Sequence, residues 1–133
     1  MPTEPQLRTT PKAMYWTGWV MSVLVCLPFL PSAMFKIMQH EEYVIKGFTQ
    51  MGWPLNTAVP LGIIELACVV LYLIPQTAVL GAILLTGYLG GAISVHVHHS
   101  QPFWMPAVMG VLVWLGLYLR DARVRELAPL RKL

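Results

Sequence analysis

The chain has 133 residues, 56% of them hydrophobic and only 11% charged, and its mean hydropathy is +0.61. A soluble domain carries about 25% charged residues, so a chain this small and this apolar would expose too much oily surface in water. It reads as a single domain, residues 1–133, integral to a lipid bilayer. Basic residues outnumber acidic ones by 9 to 6. They gather at the two ends of the chain, which points to membrane orientation and away from a nucleic-acid partner.

Four apolar segments are predicted to span, at 15–35, 55–74, 77–97 and 103–119, since about 20 helical residues cross the hydrocarbon layer. The first is longer than the h-region of a secretory signal, about 7–15 residues, and no Ala-x-Ala site follows it, so it is read as a spanning helix. Pro28, Pro31 and Pro60 predict kinks or local unwinding in the first two spans. The connection from Lys36 to Pro54 carries His40-Glu41-Glu42-Tyr43 and Gly47-Phe48, and is predicted to fold back as a short interfacial helix. Pro75-Gln76 predicts a tight hairpin between the second and third spans. Ser100-Gln101-Pro102 turns the chain into the fourth, with Pro102 suited to a first helical turn. The segment 120–133 is basic with leucines interleaved and is predicted to lie along anionic lipid.

The expected fold is therefore all-α: an integral membrane four-helix bundle with both termini on one side. Arg8, Lys12, Arg120, Arg123, Arg125, Arg131 and Lys132 fall on that side, against Lys36 and Lys46 on the other. The positive-inside rule makes the termini cytoplasmic, in a multi-pass protein of the cell inner membrane. Tyr15, Trp16, Trp19 and Tyr118 then form the inner aromatic belt, and Trp53 and Trp104 the outer one. Gly87 and Gly91 share a face of the third span, which suits packing inside the bundle or, in a sharper reading, a homo-oligomer seam. Cys26 and Cys68 lie within apolar segments and read as small buried hydrophobes.

Glu65 is the most informative residue. It sits near the middle of the apolar stretch Leu55–Pro75, and an acidic group at the centre of a spanning helix costs roughly 2.5–3.5 kcal/mol. Such a residue persists where it faces a partner, a cavity or a ligand. Leu61, Gly62, Cys68, Val69 and Tyr72 share its helical face. The second feature is His96-Val97-His98-His99 at the outer end of the third span. Lys36, closing the first span, and His40 belong to the same outer half. Glu65, His96 and Lys36 are the candidate catalytic set; His40, Cys68, Tyr72 and Trp53 are candidate substrate contacts. Three histidines within four residues also raise a metal or haem site at His96, His98 and His99, because neutral imidazole is a common ligand. Their spacing matches no recognised closed site. There is no nucleophile triad, phosphate loop or dinucleotide fingerprint.

Ser32-Ala33-Met34-Phe35-Lys36, Gly52-Trp53-Pro54, Gly62-Ile63-Ile64-Glu65 and Gly91-Ala92-Ile93-Ser94-Val95-His96 together resemble the DoxX-like family of small four-helix membrane proteins, over roughly residues 15–120. The family usually has an acid in the second span, a histidine ending the third, and a lysine near a glycine or serine. Lys36, Glu65 and His96 match those places, while His98 and His99 are less typical. The family's relatives include a membrane subunit of a thiosulfate:quinone oxidoreductase and a mycobacterial member linked to thiol and oxidative-stress complexes. Fold analogy does not fix function.

Three functional expectations follow. The first is a membrane enzyme or oxidoreductase subunit handling a lipophilic, quinone-like molecule. In it Glu65 exchanges the proton, His96 relays it, and Lys36 stabilises a developing oxyanion or the carboxylate. The second is a cofactor-free acid/base isomerase or ring-opening enzyme for an apolar substrate. The third is a non-enzymatic scaffold for a soluble oxidoreductase partner, or a small permease.

Overall fold

The computed structural model describes residues 10–128, and every regular element among them is helical. The α-helices are α1 (Lys12–Cys26), α2 (Phe29–Met38), α3 (Lys46–Met51), α4 (Ala58–Leu73), α5 (Ala78–His98), α6 (Trp104–Arg120) and α7 (Ala122–Leu127). Three stretches are long and apolar enough to cross a membrane: Lys12–Met38, which joins α1 and α2, Leu55–Leu73 and Pro75–His98. Helix α6 is apolar but shorter, at 17 residues.

Proline explains both where the rods bend and where they do not. Leu27 and Pro28 form a turn that separates α1 from α2, because proline lacks an N–H and crowds the preceding turn. Pro31 and Pro60 were expected to kink or locally unwind their spans as well, but neither interrupts its helix. Each is the third residue of its helix, α2 and α4, where the N–H has no intrahelical partner to lose. A 3₁₀ turn, Leu55–Thr57, leads into α4, and a second, Pro75–Thr77, makes the tight hairpin into α5.

The break at Pro28 redirects the first rod. Before it, α1 lies along α6; after it, α2 lies along α4. Helices α4 and α5 pack together, as do α5 and α6, so the rods close into a ring. The apolar interior includes Val25, Phe29, Val69, Leu85, Val113 and Leu117. Cys26 and Cys68 are buried within it as free thiols.

Two polar layers interrupt this interior. Near the end of α4 and the middle of α6, Tyr72 Oη donates to the Val113 carbonyl at 2.7 Å and lies 3.0 Å from Ser22 Oγ. The other layer surrounds Glu65. The connection after α2 forms a π-helical turn, Glu41–Ile45, that runs into α3 and buries Val44. Its expected helix is present.

A further expectation is corrected. Gly87 and Gly91 do not pack within the ring: a Cβ at either would meet nothing within 4 Å. The buried stripe of α5 runs through Ala78, Gly81, Ala82, Leu85 and Leu89, and helical periodicity puts Gly87 and Gly91 on the opposite side. The described part of the basic tail forms α7 and is held against the end of α6. Val124 is buried, and Arg125 donates to the carbonyls of Tyr118 and Leu119 at 2.8 and 3.0 Å and to Thr10 Oγ1 at 2.7 Å. The last carbonyls of a helix lack intrahelical donors, and a nearby cation satisfies them. Residues 129–133, the rest of that tail, lie outside the described residues.

Candidate functional site

Close helix approach builds the site. A Cβ on Gly62 would lie 2.9 Å from the Ala33 carbonyl oxygen and 3.0 Å from Lys36 Cβ. Glycine therefore lets α2 settle against α4 at this level. Three residues further along the same face of α4 stands Glu65, only 1% exposed. Lys36, in the last turn of α2, reaches it: Nζ donates to Glu65 Oε2 at 2.7 Å and to Ser32 Oγ at 2.7 Å. From the other side Tyr88 Oη of α5 donates to the same Oε2 at 2.9 Å. The Lys36 ammonium also sits 5.7 Å from the Tyr88 ring centroid, and Phe29 meets that ring edge-on at 6.4 Å.

This arrangement satisfies a buried carboxylate with one full cation and one neutral donor, as a charge held away from water requires. Both donors converge on Oε2. Among the described residues no group donates to Oε1.

The Lys36 side chain is 16% exposed and lines an open cleft of about 340 Å³ with Pro31, Ser32, Phe35, Tyr43 and Phe48. Phe35 and Tyr43 stack with centroids 5.2 Å apart and planes within 10°. Lys36 thus links a flat, aromatic-walled cleft to a buried acid. An ammonium carries three N–H donors, and two of them are used here.

The remaining sequence candidates are spread more widely. His40 lies beside the cleft, its ring 5.1 Å from Phe35 and 5.2 Å from Tyr43, with Nδ1 buried and unpartnered. Cys68 is buried one turn after Glu65 on α4. Tyr72 is two turns away, in the Ser22–Val113 layer. His96 stands eight residues beyond Tyr88 on α5, a rise of about 12 Å, and its Nδ1 donates to the Ala92 carbonyl at 2.7 Å. Trp53, His98 and His99 line a different cleft of about 410 Å³, beside Met51 and Ser94. The His98 and His99 rings meet edge-to-face at 5.1 Å. Among the described residues, no three His, Cys, Asp or Glu side chains converge as a metal-ligand set, so His96, His98 and His99 do not form one.

Sequence reasoning overlooked Tyr88 and the role of Ser32. The available signal for Tyr88 was its isolation, as the only tyrosine of the third apolar segment. It also overlooked the burial of Arg120, taken as the first residue of a basic tail lying along anionic lipid, which is only 7% exposed.

No curated protein and no solved structure matches the chain. A family model described as the DoxX-like family matches residues 20–116. That stretch contains α2, α4, α5 and all three members of the Lys36–Glu65–Tyr88 ensemble. With its apolar helices long enough to span a bilayer, the chain is a membrane protein and belongs to the DoxX-like family.

Proposed function

We propose that Lys36, Glu65 and Tyr88 form a proton-handling site for a lipophilic, quinone-like molecule. The protein acts as a membrane enzyme or oxidoreductase subunit. It has four spans in the cell inner membrane and both termini on the cytoplasmic side. The observation that carries this reading is the double engagement of Lys36, which lines the aromatic cleft and holds the buried Glu65 carboxylate. Pockets for small apolar ligands combine mostly hydrophobic walls with a few placed polar groups, and ionisable residues inside membranes default to function.

In this reading a ring carbonyl of the ligand takes the third N–H of Lys36, and the ring lies against Phe35 and Tyr43. Quinone reduction consumes two electrons and two protons. A soluble oxidoreductase partner supplies the electrons; the Glu65 carboxylate takes up one proton from water at the cleft mouth and hands it on to the reduced ring, and the second proton comes directly from that water. Tyr88 is a positioning residue that fixes the carboxylate. His96 stands two turns from this ensemble, so its relay role requires intervening water.

The test is binding of a short-chain quinone to the detergent-purified full-length protein, followed by quenching of intrinsic fluorescence. Saturable binding is expected in the parent and loss of it in Lys36→Met, with Glu65→Gln retaining binding but losing coupled turnover with its partner. Absence of saturable binding in the parent sinks the quinone reading. Conversion of a bound apolar ligand without any electron acceptor would instead establish the isomerase.

A further inference from the structure

At the opposite end of the ring, Arg120 ends α6 as a buried cation. It is only 7% exposed. Its guanidinium is held between two rings, 4.2 Å from the Trp19 centroid and 4.7 Å from that of Tyr72. Nη2 donates to the Tyr72 carbonyl at 2.7 Å, which satisfies one orphan acceptor in the last turn of α4. That contact uses one of five N–H donors. Nε is buried without a partner.

Among the described residues no carboxylate neutralises this charge. Among the described residues, Lys36–Glu65 is the only salt bridge. Asp121 is adjacent, but its carboxylate accepts the Arg123 backbone N–H at 2.9 Å and caps α7. Burying a cation without a counter-charge is costly, so the environment here calls for an anion from outside the chain.

Space for one is present. A cleft of about 320 Å³ opens between α1, the α4–α5 turn and the end of α6, lined by Tyr15, Trp19, Gln76, Arg120, Asp121 and Arg123. Two guanidinium groups against one carboxylate leave it net positive. Its depth names the anion. The cleft lies where the apolar run of α6 stops and where Tyr15, Trp16 and Trp19 gather. Aromatic rings of this kind mark the headgroup level of a bilayer, and arginine is suited to planar, forked recognition of phosphate. We infer that this cleft binds a phosphate-bearing anion, the headgroup of an anionic phospholipid, with Arg120 and Arg123 on the phosphate and Trp19 holding the Arg120 plane.

The experiment uses the full-length protein in a non-ionic detergent. Its thermal unfolding is followed against short-chain phosphatidylglycerol, short-chain phosphatidylcholine and inorganic phosphate. A saturable rise in Tm with phosphatidylglycerol is expected, well above that with phosphatidylcholine. Arg123 is exposed, so Arg123→Ala should fold and bind phosphatidylglycerol about fivefold more weakly, the factor one basic residue carries near a charged membrane surface. Arg120→Lys should lose more, because an ammonium cannot reproduce the fork. Equal responses to the two lipids, or full phosphatidylglycerol binding in both variants, overturn the site. A rise with inorganic phosphate but none with phosphatidylglycerol overturns the lipid assignment and leaves a site for free anions.

Discussion

Lys36 and Tyr88 hold Glu65 in different ways, and substitution separates them. Lys36→Met leaves a buried carboxylate with a single neutral donor. Removing one member of a buried ion pair typically costs about 3–5 kcal/mol, so this variant should unfold markedly earlier in a thermal scan in detergent. Lys36→Met combined with Glu65→Leu should recover most of that loss, because the unpaired charge is gone. If the double variant is as unstable as the single one, the pair is not what stabilises this layer. Tyr88→Phe removes one hydrogen bond to a charged acceptor, worth about 1.5–3 kcal/mol, while keeping the ring that packs on Phe29. It should lower the unfolding midpoint less than Lys36→Met, and rescue of quinone binding by higher ligand concentration would mark it as a positioning residue. Glu65 was legible in the sequence because a lone acid in an apolar run stands out without any knowledge of the fold. Tyr88 was not, because a tyrosine in a spanning segment is unremarkable until a neighbouring helix presents it with a carboxylate.

The elements were legible to different degrees for the same kind of reason. Length and hydropathy located the apolar stretches, and Pro75-Gln76 located the hairpin, since these are local properties. The fate of Pro60 was decided by one register choice: the 3₁₀ turn ends at Thr57, which places Pro60 in the first turn of α4 and removes its power to bend the helix. The glycines of α5 divide in the same way. A Cβ on Gly81 would come within 2.3 Å of the Tyr72 backbone nitrogen, whereas Gly87 faces open space. Gly81→Ala should therefore push α4 from α5 and lower the unfolding midpoint. Gly87→Ala should be neutral or raise it, since alanine is favoured over glycine inside a helix by about 0.8–1.0 kcal/mol. Thermal scans of the two variants side by side test the packing of α4 on α5, and equal effects would contradict it. The histidines show the converse problem. Sequence proximity grouped His96 with His98 and His99, but helical rotation sends the first to the Ala92 carbonyl and the other two toward the cleft beside Trp53.

At the scale of the molecule, orientation is the property that labelling can read directly. Cys26 and Cys68 are both buried, so the folded protein should react poorly with a water-soluble maleimide. Single cysteines introduced at Thr10 and at Gln101 then report on the two ends of the ring. In inverted and right-side-out vesicles they should label from opposite sides, with Thr10 on the cytoplasmic face; labelling of both from one side would remove the four-span topology. The charge distribution that led to this topology was visible in the sequence. The burial of Arg120 among aromatic rings was not, because it depends on α1 and α6 coming together from distant parts of the chain.

That same contact has a consequence for biosynthesis. During translation α1 emerges before α6, yet α6 is the helix α1 lies along, with Gly18 set so close that a side chain there would strike the Arg120 backbone at 2.7 Å. Until α6 arrives, α1 must wait with its glycine face uncovered, held by its continuity with α2 and by Ser22 against Tyr72 of α4. Ring closure therefore waits on α6, and Gly18→Leu should be inserted at normal levels yet turned over faster by membrane quality-control proteases in a pulse–chase.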